Sequence, residues 1–238
     1  MSYFESRLVV DFRNFDVLIK KIDFYKNLNV DNLILEPQKD LNQFSLNLKK
    51  KIKKETSINI FYRFNLQINE VNEFKKRIKR FNKFPEILSV ESLNKDVQIL
   101  AARDSRVDIV SFSNQNNLKT ITPGIVSLIK QNGSFIEFSL SHLMIKNKSK
   151  QSKNFRSLYR ALQLVMKHKS NCIISGNFKN SFDFRHPRAL LSICNTLLDI
   201  PLDEAKIIFK ENPRKLLRRV QKRRDNDIFE EDVKIIKG

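Results

Sequence analysis

The sequence predicts a closed parallel α/β barrel, and three observations carry that expectation. Short β-branched runs alternate with longer helical patterns along nearly the whole chain. The strand candidates are mostly continuous apolar runs, as in sheets covered on both faces, and parallel neighbours need a helical crossover between them. Seven such strands in 238 residues fit one domain of barrel size better than an open sheet.

Taken in order, the first strand is expected over LVVDF (8–12), followed by a helix pattern over 16–27 that stops at Asn27-Leu28-Asn29. NLILE (32–36) leads into a helix over 41–55, INIFYRF (58–64) into one over 69–82, and ILSVE (87–91) into one over 95–103. VDIVSF (107–112) is followed by a further short strand candidate around Lys119 to Thr122 and a helix over 123–132, opened by Pro123 and closed by Gln131-Asn132-Gly133. After FIEFSL (135–140), the polar and basic segment KNKSKQSKN (146–154) reads as an insertion-like mobile loop ahead of a helix over 154–169. NCIIS (171–175) is the last strand, Pro187 opens a helix over 187–199, and a final helix over 203–224 is expected to break at Asn212-Pro213. Residues 1–224 thus make a single barrel domain with a basic C-terminal helix, and 225–238 form a tail.

The charge is uneven. The formal excess is +19, from 45 Lys and Arg against 26 Asp and Glu. Residues 109–182 hold 11 basic side chains and a single acid, Glu137. A stretch with so few acids is an electrostatic footprint for a polyanion, with nucleic acid the leading partner. Lysine runs at 49–54 and 75–80 have acids nearby and read as solvated helix faces. The run from Lys210 to Arg224 has eight basic residues and one acid; it fits RNA contact and neutralisation by Asp225, Asp227, Glu230, Glu231 and Asp232 equally well. Cys172 and Cys194 lie in apolar runs and read as buried thiols. Neither a signal peptide nor a stretch of about 20 apolar residues is present, so no membrane partner and a cytoplasmic location are expected.

In a barrel of this kind, chemistry belongs just beyond the strand ends. Those positions hold Asp11, Glu36 and Glu91, a carboxylate set that would suit Mg²⁺, but His142, His168 and His186 are scattered without ligand spacing. The three acids read better as partners of Arg13 and Arg63. No GxGxxG, P-loop, GxSxG or HExxH motif occurs. No catalytic residue and no protein-bound metal or cofactor are assigned.

The segments AARDSRVDIVSF (101–112), FIEFSLSHLM (135–144), NCIISG (171–176), FRHPRALLSICNTL (184–197) and DEAKIIFKENPRKLL (203–217), in this order, resemble ribonuclease P protein component three. The resemblance implies a TIM-like (β/α) barrel related to metal-dependent hydrolase barrels but lacking their metal ligands; VVDFR stands where such an enzyme carries paired histidines. It implies a noncatalytic subunit of the ribonucleoprotein that removes the 5′ leader from precursor tRNA, with Mg²⁺ serving the RNA catalyst. The implied partners are ribonuclease P RNA, a small ferredoxin-like protein subunit in a dimer of heterodimers, and other ribonuclease P proteins, with precursor tRNA met indirectly. The short chain fits the archaeal form. The stand-alone alternative is a metal-dependent phosphoesterase of the same barrel class.

The family's small-residue stretch after the last strand is replaced here by Ser175, Gly176, Asn177 and Phe178. The family's arginine in the following segment matches Arg185, Arg188 fits the start of the next helix, Arg106 matches a family basic position, and the arginine that in the family's pattern opens the helix after FSL falls on Arg156. From charge and resemblance together, the expected RNA contacts are Arg103, Arg106, Lys146, Lys148, Lys150, Lys153, Arg156, Arg160, Lys179, Arg185, Arg188, Arg214, Lys215 and Arg218.

Overall fold

Seven parallel strands stand side by side in sequence order, each joined to the next by a helical crossover. The computed structural model describes residues 3–38, 45–178, 180–224, 228–230 and 233–234. The strands are β1 (Phe4–Val10), β2 (Asn32–Pro37), β3 (Asn59–Gln67), β4 (Ile87–Glu91), β5 (Ile109–Phe112), β6 (Phe135–Ser139) and β7 (Cys172–Ser175). Around them lie α1 (Phe15–Asn27), α2 (Leu46–Glu55), α3 (Val71–Ile78), α4 (Lys95–Arg103), α5 (Gln115–Leu118), α6 (Pro123–Gln131), α7 (Lys148–Lys167), α8 (Pro187–Thr196), α9 (Leu202–Lys206) and α10 (Asn212–Arg224). A short antiparallel pair, β8 (Ile228–Glu230) with β9 (Val233–Lys234), follows. Asp225, Asp227, Glu231 and Asp232 of the acidic tail lie outside the described residues.

The period-two alternation of the strands sorts their side chains into two environments. Leu33, Leu35, Leu88, Val90, Val110, Phe112, Ile136, Phe138 and Ile174 pack in the main apolar core, which includes Ile22, Val97, Ile129, Leu158 and Leu162 of the helices. The other parity carries, from bottom to top, an apolar layer of Ile34, Ile87, Ile109, Phe135 and Ile173, then a polar layer that includes Glu36, Arg63, Ser89, Ser111 and Glu137. Leu216 and Val220 of α10 close on the apolar layer and seal the N-terminal mouth. Burying two such side chains contributes on the order of 1.5–3 kcal/mol each.

Three expectations are corrected. The stretch around Lys119 to Thr122 is not a strand: Thr120 donates to Asn117 O at 2.7 Å and the Thr122 side chain caps α6 by accepting from Ile125 N, so both threonines are spent on a turn and a cap. The segment 146–154 is not a mobile loop: from Lys148 it is the first two turns of the 20-residue α7. Asn147 caps it by accepting from Lys150 N at 2.9 Å, Asn154 donates to His142 O, and Gln151 to Leu143 O. Arg156 therefore lies inside that helix and does not open it. Asn212-Pro213 does not break the last helix either. Proline lacks the N–H, and its ring crowds the carbonyl four residues back. The chain absorbs this by widening into a π-helical segment, Ile207–Glu211, in which Asn212 N donates to Ile207 O.

That π-helical segment also lies where an eighth strand would close the barrel. No backbone ladder joins β1 to β7 among the described residues, and the segment packs against both. Side chains bridge the seam instead. Glu5 accepts from Gly176 N at 3.0 Å, Asn212 donates to Cys172 O at 2.7 Å, and the Lys210 ammonium lies 4.2 Å from the Tyr3 ring centre. Gly176 is required there, since a Cβ would sit 2.6 Å from Glu5 Oε2 and from the Phe178 ring.

Candidate nucleic-acid interface

The carboxylates beyond the strand ends are already engaged by arginines. Asp11 takes a two-pronged bond from Arg13, with Nε at 3.0 Å and Nη2 at 2.9 Å. Inside the barrel, Arg63 is fully buried and donates through Nη1 and Nη2 to the two oxygens of Glu137 at 2.6 and 2.9 Å. Its Nε lies 3.0 Å from Glu36 Oε2 as an ion contact without hydrogen-bond geometry. Arg7 donates to Glu36 at 2.8 Å and to Ser111 at 3.2 Å, and reaches Glu91 at 3.4 Å. Glu91 also accepts from Ser113 at 2.6 Å, Asn114 at 2.9 Å, and from Asn65 and Asn117, both at 3.1 Å.

Burial alone would raise the Glu137 carboxyl, but the charges of Arg63 and Arg7 hold it below the usual carboxylate range. Desolvation acts on Arg7 against its charge, yet Glu36, Glu137 and Glu91 outweigh it and raise its pKa. A cleft of about 1050 Å³ opens above this network, with Arg7, Glu36, Glu91 and His142 in its wall. Burial lowers the pKa of His142, which favours the neutral imidazole. The acids that would ligate a cation are thus neutralised by guanidinium groups. Among the described residues, no group of three or more His, Cys, Asp or Glu side chains is arranged to hold a metal.

The cations outside the barrel are arranged differently. Lys146, Lys148, Lys150, Lys153, Arg156 and Arg160 are all exposed, and no ion pair involves them among the described residues. On α7 the buried side is Asn154, Leu158, Ala161, Leu162 and Val165. At 3.6 residues per turn, Lys153, Arg156, Arg160 and Lys167 fall within an arc of about 60° on the opposite side. The helix therefore presents Lys153, Arg156, Arg160 and Lys167 as one basic stripe, with Lys148 and Lys150 of its first turn flanking it on either side.

The remaining expected contacts divide. Arg103, Arg188, Lys215 and Arg218 are exposed. Lys179 lies outside the described residues. Arg106 is half-buried and bound two-pronged to Asp104 at 2.8 and 2.6 Å, and Arg214 pairs with Glu211 at 3.1 Å. Arg185 donates through Nη1 to the carbonyls of Phe182 at 2.6 Å and Phe184 at 2.8 Å.

Sequence reasoning missed Arg7, Arg219 and Arg223. Arg7 falls one residue ahead of the strand expected at 8–12. Arg219 and Arg223 of the basic run turn inward to the fully buried Asp108, which takes two bonds of 2.9 Å from Arg223 and one of 3.3 Å from Arg219 and also accepts from Leu88 N. The acid that neutralises these two arginines lies in the VDIVSF segment, more than a hundred residues upstream. Glu137, the lone acid of the basic segment, in the middle of an apolar strand, carried the signal that this parity of the strands faces a buried cation.

The fold is thus a TIM-like barrel whose mouth carboxylates are held by arginines and whose outer helix α7 carries exposed cations without ion pairs among the described residues. The profile of the RNase P subunit p30 family matches residues 11–225, and the chain belongs to that family. Ribonuclease P protein component 3 of Methanococcus maripaludis is 26% identical over 159 residues, covering 66% of this chain and 68% of the relative. The fold is similar to that of a chain in a cryo-EM structure of archaeal ribonuclease P with mature tRNA, at a TM-score of 0.78 and 19% identity, covering 99% of this chain and 98% of the other. It is also similar to the crystal structure of an uncharacterized protein, at a TM-score of 0.60 and 6% identity over 92% of this chain and 74% of that one.

Proposed function

We propose that this ribonuclease P subunit acts without catalysing, by laying cations along the phosphates of ribonuclease P RNA and so supporting 5′-leader removal from precursor tRNA. The observation that carries the reading is the α7 stripe, in which exposed Lys and Arg side chains in an acid-free segment form no internal ion pairs among the described residues. Neutralised phosphate repulsion would let the RNA gather its Mg²⁺ at lower concentration. The small ferredoxin-like subunit and the other ribonuclease P proteins are the proposed protein partners, in the cytoplasm. Metal-dependent hydrolysis by this chain alone is disfavoured, because Asp11, Glu36 and Glu91 are held by Arg13, Arg63 and Arg7.

Two quadruple variants test this. Replacing Lys148, Lys150, Arg156 and Arg160 by Ala should remove most of the RNA affinity and of the stimulation of reconstituted tRNA processing while leaving the far-UV circular dichroism intact. Replacing Lys50, Lys51, Lys53 and Lys54 of α2 should do much less. Equal losses in the two variants would reduce the stripe to part of a generic cationic coat.

A further inference from the structure

Phe182 is 86% exposed, more than any other large apolar side chain among the described residues. It sits on a single 3₁₀ turn, Ser181–Asp183, in the loop between β7 and α8 at the rim of the mouth. Unsupported, a ring so exposed would be a poor contact, because its orientation would have to be frozen on binding. Here the turn is held from both sides. Asn180 Oδ1 accepts from Phe182 N at 3.2 Å, and Arg185 Nη1 donates to Phe182 O at 2.6 Å. Two residues on, Phe184 is buried, stacked on Tyr25 at 4.5 Å and edge-on to Phe24 at 5.5 Å. The aromatic anchor fixes the backbone that lifts Phe182 into solvent.

The surroundings decide what the ring meets. Arg185 spends only Nη1 on the turn; its Nε and Nη2 make no hydrogen bond among the described residues, and Arg188 is exposed at the start of α8. A planar π-face beside guanidinium groups free to take an anion is the chemistry that recognises one unpaired nucleotide, with the base on the ring and the phosphate on the arginine. We propose that Phe182 and Arg185 form a stacking platform for an unpaired nucleotide of the bound RNA. It is separate from the α7 stripe, which presents charge and no exposed aromatic: Phe155 and Tyr159 are partly buried and stacked on each other. The platform deepens the RNA-binding reading and rests on it.

The test compares Phe182→Ala, Phe182→Leu and Phe182→Tyr in the full chain, titrated with a short single-stranded oligoadenylate and with a duplex RNA of equal length. Because the ring is exposed, all three variants should fold, which circular dichroism checks. Ala and Leu are expected to weaken single-strand binding about tenfold, Tyr to keep it, and none to change duplex binding or the salt dependence. Leu binding the oligonucleotide as tightly as wild type would overturn the platform and mark Phe182 as an apolar docking point for protein. Wild-type affinity in all three variants would also overturn it while leaving the α7 reading intact. Failure of the wild-type chain to bind either RNA would overturn the RNA-binding reading as well.

Discussion

Glu5 and Glu137 are both buried carboxylates, and their surroundings push them in opposite directions. Among the described residues no arginine guanidinium pairs with Glu5, and burial lifts its pKa to about 7 despite backbone donors at Arg7, Gly176 and Asn177. A carboxyl that ionises near 4.5 unfolded and near 7 folded stabilises the fold below the lower value, and that contribution is lost as pH rises between the two. Glu5→Gln, with its carbonyl oxygen still facing Gly176, should therefore flatten the fall in melting temperature over this window; an unchanged pH profile would show that the seam does not depend on this proton. Glu137 has the reverse sign: Arg63 and Arg7 depress it, and its contribution is lost on acidification. Arg63→Met strips Glu137 of its two-pronged partner and should cost about 3–5 kcal/mol in urea unfolding, the usual penalty for leaving a buried charge uncompensated. A cost under about 1 kcal/mol would mean that Arg7, 3.6 Å away, suffices alone.

At the scale of elements, α10 presents two different sets of arginines. Arg219 and Arg223 face the barrel and Asp108, whereas Arg218 is exposed. Arg223→Ala should destabilise the fold by about 1.5–3 kcal/mol through loss of charge-assisted bonds and leave the RNA affinity of the folded protein unchanged. Arg218→Ala should do the opposite, with melting temperature unmoved and RNA binding weakened. Leu216→Ala opens a cavity in the bottom layer of the barrel and should cost about 2–5 kcal/mol, read by the same unfolding titration. Strand and helix positions were largely legible in the sequence, because apolar periodicity reports which face is buried. The start of α7 was not, since its early turns are polar and are tied down by Asn154 and Gln151 bonding to the loop after β6, contacts that no periodicity records.

For the whole molecule, the charge excess makes association with RNA an ionic-strength effect. Each phosphate contact releases about 0.7 to 0.9 counterion, so the log–log slope of affinity against salt counts the contacts. Replacing the four α7 cations should reduce that slope by about 3. The α2 control, in which Lys51 lies 3.9 Å from the centre of the Phe15 ring, should move it far less. A slope insensitive to the α7 variant would shift the contact surface to another face. The same charge map says nothing of hydrolysis: purified protein supplied with Mg²⁺ or Mn²⁺ is expected to leave RNA and phosphate esters intact. Cleavage lost in Asp11→Asn would overturn that expectation.

By itself the sequence determined the parallel barrel and the basic central segment, because alternation, apolar runs and net charge are properties of the chain read in order. It also supplied Arg13 for Asp11 and Arg63 for Glu36, whereas the arginine that meets Glu91 is Arg7, which lay outside the expected strand. Only the tertiary structure decided which cations are free. Arg106 and Arg214 are held by acids within their own turn, Arg219 and Arg223 by Asp108 from across the fold, and the α7 cations by none among the described residues. The barrel also closes on seven strands with a π-helical wedge, although the sequence offered an eighth strand candidate. The physical reason is the same in each case: a side chain's partner is fixed by where the fold brings a distant residue, and periodicity reports only the face on which that side chain lies.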